Sequence, residues 1–174
     1  MTKNRKTSKP SLSTWGKIWR IMLAIAVPLG GGIIVSLFTR SAMDTFGRLN
    51  QPPLSPPAIL FPIAWTILYV LMGLASYIIW LNSVSKNGKT NREGKVALTI
   101  YGVQLALNFA WSPLFFNAGL YWFAFAWLMV MIIFIIALMA KTFKISRAAF
   151  FMLLPYILWC CFAAYLNCGI ALLN

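Results

Sequence analysis

Three groups of residues in this chain have the type and spacing to hold a molecule. Trp65, Tyr69, Met72 and Ser76 recur at intervals of four, three and four, and Tyr156, Trp159, Ala163 and Leu166 repeat much the same rhythm, with Cys160 and Asn167 beside that face. Either stripe puts large rings on one side of a helix. In a third segment Gln104 and Asn108 stand one helical turn apart, and Trp111, Ser112 and Phe115 continue along adjacent faces. Flat side chains opposite an amide suit a large, flat, mostly apolar ligand, held by stacking and area burial with one or two polar fixes. The same rings also suit plain helix packing. Asn108 either braces a neighbouring helix or presents a hydrogen-bond group to a bound molecule.

Other chemistry has little to work with. There is no histidine, and Asp44 and Glu93 are the only acids, so a conventional acid–base enzyme lacks its groups. Cys160, Cys161 and Cys168 share one segment with no acid near enough to complete a metal site; they read as small packing residues, and no metal is expected. Phosphate-loop, dinucleotide and paired-cysteine motifs are missing.

The elements that must position these residues follow from hydropathy and charge. Apolar residues make up 61% of the 174. The charges fall in short stretches that leave five uncharged runs, each long enough, at roughly 20 residues, to cross a bilayer as a helix. The expectation is an all-α integral membrane bundle of five transmembrane helices, over about 18–38, 58–82, 96–115, 119–140 and 148–171, behind a basic tail of residues 1–17. Five spans leave almost no room for a soluble domain.

Net charge along the non-membrane segments, counting Arg20 with the tail, runs +6, +1, +3, 0 and +3. With five spans the three strongly positive segments share one side, so the bias toward basic cytoplasmic loops supports the count and places the amino terminus in the cytoplasm. The same distribution assigns the net charge of +13 to membrane headgroups and removes nucleic acid as a partner. Ile18 to Phe38 has span length and no convincing cleavage site after it, so it reads as an uncleaved first helix; the alternative is a weak organelle address in the tail. A bacterial plasma membrane is the expected location, with an organelle membrane as the alternative.

Prolines punctuate the pattern. Pro28, Pro62, Pro113 and Pro155 are expected inside four of the helices, where each removes a backbone hydrogen bond and opens space between spans. The first connection carries Gln51, Pro52, Pro53, Leu54, Ser55, Pro56 and Pro57, a stiff run read either as a lid over a pocket or as a rigid turn into the second helix. Gly30, Gly31 and Gly32, and Ala124 to Ala126, are the small-residue surfaces available for helix or subunit contact.

At Pro56-Pro57, Phe61-Pro62-Ile63-Ala64-Trp65-Thr66 and Tyr69 the chain resembles the TspO/MBR family, the tryptophan-rich sensory proteins related to the mitochondrial translocator protein or peripheral benzodiazepine receptor. The resemblance continues through Gln104, Leu107-Asn108, Trp111-Ser112-Pro113 and Phe115-Phe116, then Leu154-Pro155-Tyr156, Trp159, Phe162-Ala163 and Leu166-Asn167, covering roughly residues 25 to 172. It implies a five-helix membrane protein, commonly a homodimer, binding porphyrins such as protoporphyrin IX in a pocket near one end of the bundle, with no further cofactor required. Carried over, the ligand-binding residues are Trp65, Tyr69, Asn108, Trp111, Tyr156 and Trp159, and the lid is Gln51, Pro52, Leu54, Pro56 and Pro57. Light-dependent porphyrin breakdown, attributed to bacterial members, would fall to Trp65 and Trp159 as redox-active indoles; transport or signalling without turnover are the alternatives. This chain departs from the family pattern at Thr45-Phe46-Gly47 and at Gln51-Pro52-Pro53-Leu54, where a Trp-Tyr pair and a Lys-Pro step with a further tryptophan are usual, so its lid brings fewer rings and one less cation. The sterol motif of animal members is incomplete, because Leu166-Asn167-Cys168 follow Tyr165 without a base.

Overall fold

A computed structural model of the chain describes residues 13–42, 47–85 and 87–174. Most of the basic tail, the Thr45-Phe46 step and Lys86 lie outside the described residues. Five long helices carry the fold: α1 (Thr14–Thr39), α2 (Leu60–Ser83), α3 (Arg92–Ser112), α4 (Tyr121–Ile145) and α5 (Arg147–Leu173). Three begin at capping side chains, as orphan amides at a helix start require. Ser13 accepts from the Gly16 amide at 3.1 Å, Asn91 from Gly94 at 2.8 Å and Ser146 from Ala149 at 3.4 Å.

Consecutive helices run antiparallel, and contacts between their ends tie the bundle together. At one end Lys141 pairs with Glu93 at 3.5 Å and the Arg20 guanidinium lies 4.6 Å from the centre of the Trp80 ring. At the other, Asn117 Nδ2 donates to the Phe38 carbonyl at 3.0 Å and Asn167 Nδ2 to that of Tyr121 at 2.9 Å. The core between them holds Met72, Ile79, Leu128, Met131, Ile135, Leu138 and Leu153, while Leu23, Ile34, Ile133, Ile136, Phe151 and Leu158 point outward. That outward apolar surface is the signature of a chain solvated by lipid, and the protein is an integral membrane protein.

Four of the described helices are long and apolar enough to span by composition alone; α3 is the exception. Its polar residues explain the shortfall, because Gln104 and Asn108 are buried inside the bundle. Facing neighbouring helices rather than lipid, they cost α3 hydropathy without exposing polar groups to hydrocarbon.

Two proline expectations are corrected. Pro62 sits in the first turn of α2, where its missing N–H would have had no helical acceptor anyway, so it does not interrupt that helix. Pro113 ends α3: lacking an N–H, it begins a wider turn over Pro113–Asn117 in which the Ala118 amide bonds the Pro113 carbonyl at 3.0 Å. The third span therefore stops at Ser112, and the connection to α4, which includes Gly119 at φ +63°, starts earlier than the hydropathy indicated. Pro28 and Pro155 lie inside α1 and α5 as expected.

Candidate functional site

The site lies along the second half of α1, which is tied to its neighbours at several points. Gly73 on α2 allows the first approach: a Cβ there would lie 2.6 Å from the Ala24 carbonyl oxygen, so only a hydrogen lets the two backbones come this close. The Asn117 bond to Phe38 ties the far end of α1 to the turn after α3. In this part of the bundle lies a cavity of about 510 Å³.

Its walls come from three helices. α1 contributes a helical stripe of Leu29, Ile33, Ser36 and Leu37, continued by Arg40 just after it; α2 contributes Phe61, Pro62, Trp65, Thr66 and Tyr69; the end of α3 and the following turn contribute Trp111, Ser112 and Phe116. Trp65 stacks on Tyr69 with ring centres 5.5 Å apart, and Trp111 stacks on Phe115 at 5.1 Å. Gly31 and Gly32 make room for this arrangement, since a Cβ on either would run into the ring of Phe109 or Tyr69 respectively.

Behind the Trp65–Tyr69 wall a chain of hydrogen bonds crosses three helices. Tyr69 donates its hydroxyl to Asn108 Oδ1 at 2.8 Å, Asn108 Nδ2 reaches the Tyr156 oxygen at 3.4 Å, and Tyr156 donates to Gln104 Oε1 at 2.7 Å. Asn108 is thus a brace between α2, α3 and α5. It fixes the orientation of Tyr69, whose ring faces the cavity. Trp111 is anchored in the same manner, its indole N–H donating to Asn167 Oδ1 at 3.2 Å.

Of the six residues expected at a ligand, Trp65, Tyr69 and Trp111 line this cavity. Asn108 and Tyr156 stand behind it, and Tyr156 touches Trp65 edge-on at 6.4 Å. Trp159 lies beyond Phe61, with ring centres 6.1 Å apart, and its buried indole N–H has no hydrogen-bond partner among the described residues. A void of only about 20 Å³ between α2, the end of α3 and α5 shares Phe61, Trp111 and Phe116 with the large cavity.

The proline-rich connection runs across the same end of the bundle toward α5. Tyr165 donates to the Pro53 carbonyl at 2.7 Å, the Asn50 amide donates to Asn174 Oδ1 at 3.0 Å, and Pro52 packs where a Cβ on Gly169 would be. Gln51, Pro52, Leu54, Pro56 and Pro57 are not among the residues lining the cavity. The contribution of α1, with Arg40 at its end, had no counterpart in the sequence reading. The signal was present as the repeat of Leu29, Ile33, Ser36, Leu37 and Arg40 on one helical face, hidden because most of α1 is equally apolar.

These features define a membrane-embedded five-helix bundle with an aromatic-walled cavity at one end. A family model described as the TspO/MBR family matches residues 24–173. The chain belongs to that family. It is similar to "Tryptophan-rich protein TspO" of Chlorobaculum tepidum, 35% identical over 164 residues covering 91% of this chain and 98% of that one. It is also similar to the protein of the same name from Archaeoglobus fulgidus, 35% identical over 158 residues (90% and 98%), and to "Translocator protein" of Ovis aries, 36% identical over 142 residues (81% and 82%).

Proposed function

We propose that the protein binds a flat, largely apolar molecule of tetrapyrrole type, such as protoporphyrin, in the cavity between α1, α2 and α3. The observation that carries this reading is the cavity itself: about 510 Å³, walled by Trp65, Tyr69 and Trp111 and reaching the end of α1. That volume lies within the range of small-molecule and cofactor sites, and rings held from behind by hydrogen bonds present a preorganised stacking surface. Membership of the TspO/MBR family supports the ligand class.

Titration of the purified protein with protoporphyrin, followed by quenching of tryptophan emission, is the test. Saturable quenching is expected in the wild type and strong weakening in Ser36→Phe, which puts a ring into the cavity from α1. Folded protein without saturable quenching would leave the aromatics as helix packing and favour a structural or signalling adaptor.

In this reading the protein sits in a bacterial plasma membrane with its amino terminus cytoplasmic, and it acts as a homodimer. The dimer surface uses residues other than Gly31, Gly32 and Ala124, because those are filled within the protomer, whereas a Cβ on Gly30 would meet nothing within 4 Å and Ala126 is exposed.

A further inference from the structure

We infer that Arg40 anchors an acid group of the bound ligand and so selects carboxylate-bearing macrocycles over their neutral esters. The inference rests on the tetrapyrrole reading above and names the residue that reads the ligand's polar edge. Arg40 is the first residue after α1, exposed, and one of the residues lining the cavity. Most of the remaining lining is apolar or aromatic, with hydroxyls from Ser36, Thr39, Thr66 and Ser112 as its other polar side chains. Among the described lining residues the guanidinium is the charged group, and Arg40 makes no ion pair with a described acid.

Its position calls for an explanation other than membrane orientation. Lys17, Arg20, Lys89, Arg92, Lys95, Lys141, Lys144 and Arg147 all belong to the opposite end of the bundle, where α1, α3 and α5 begin and α2 and α4 finish. Only Arg40 and Arg48 among the described cations stand at the cavity end. Arg48 is not among the lining residues. A macrocycle whose rings lie against Trp65 and Tyr69 can therefore direct its acid groups toward the end of α1, where a guanidinium offers two parallel N–H donors to a carboxylate.

The test titrates protoporphyrin and its dimethyl ester into wild type, Arg40→Gln, Arg40→Lys and Arg48→Gln, each in phosphatidylcholine nanodiscs. Because Arg40 is exposed, unchanged melting temperatures are expected. The free acid should bind about tenfold more weakly to Arg40→Gln, the size of one well-formed charge-assisted contact. The ester should bind all four proteins alike, Arg40→Lys should recover part of the loss, and Arg48→Gln should match wild type. Equal losses for acid and ester would make Arg40 a structural residue, and equal losses in Arg40→Gln and Arg48→Gln would make the effect general surface charge; either result overturns the inference. So would disappearance of the Arg40-dependent difference in discs enriched in phosphatidylglycerol, which would assign the guanidinium to lipid headgroups. If wild type binds neither acid nor ester saturably, the underlying tetrapyrrole reading fails. If both bind and Arg40→Gln changes nothing, the cavity stands and only the anchor is lost.

Discussion

Alanine at Gly30 and at Gly32 makes a matched pair of perturbations two residues apart on α1. A Cβ at position 30 would meet nothing within 4 Å. At position 32 it would run into the Tyr69 ring, with Cδ2 at 2.7 Å and Cζ at 2.9 Å. That ring cannot swing away freely, because its hydroxyl is bonded to Asn108 at 2.8 Å and its face stacks on Trp65. Overpacking of this kind costs about 1–3 kcal/mol. Each substitution also gains helix propensity, up to about 1 kcal/mol in water, and that gain cancels when the two variants are compared. The difference between them isolates the clash, at about 2 kcal/mol, which corresponds to a gap in melting temperature of roughly 4–8 °C for a chain of this size. Thermal unfolding in one detergent or nanodisc, monitored by circular dichroism, should show Gly32→Ala as the less stable of the two. Protoporphyrin affinity should fall only in Gly32→Ala, since Tyr69 forms part of the cavity wall. Equal melting temperatures and equal affinities would refute the placement of Tyr69 against α1.

Three further outcomes are expected. Asn108→Leu removes two links of the buried chain; at the roughly 0.6 kcal/mol typical of membrane hydrogen bonds, the loss is about 1 kcal/mol, or about 2–4 °C in melting temperature, and an unchanged midpoint would show that the chain does not brace the helices. Trp65→Phe should weaken protoporphyrin binding several-fold while Trp159→Phe stays close to wild type; at matched occupancy under light and oxygen, any product above that from free porphyrin in detergent should fall in the first variant and not the second. Yields equal to wild type in both would make the tryptophans pocket walls. Reporter fusions at Asn87 and Asn174 should report opposite sides of the membrane, with Asn87 cytoplasmic, and finding both on one side would eliminate the five-span arrangement.

The five spans, the buried polar side of α3 and the two aromatic stripes were legible because each depends on residues close together in the chain. Hydropathy measures the length of a span, the alternating charge of the connections counts the spans, and a three-to-four residue rhythm places Trp65 with Tyr69 regardless of what lies opposite. Asn108 was legible as a group needing a partner. Its actual partners, Tyr69 and Tyr156, depended on how α2, α3 and α5 pack.

The tertiary structure alone decided that α1 forms one wall of the cavity, that Arg40 lines it, that Trp159 stands behind Phe61, and that the proline-rich connection reaches α5. In water the inward face of a helix announces itself by being the apolar one. In a bilayer the outward face is apolar too, so hydropathy around α1 cannot say which side meets protein. That choice was made by close approaches, Gly73 against Ala24 and Gly32 against Tyr69, and by hydrogen bonds between residues far apart in the chain, such as Asn117 with Phe38.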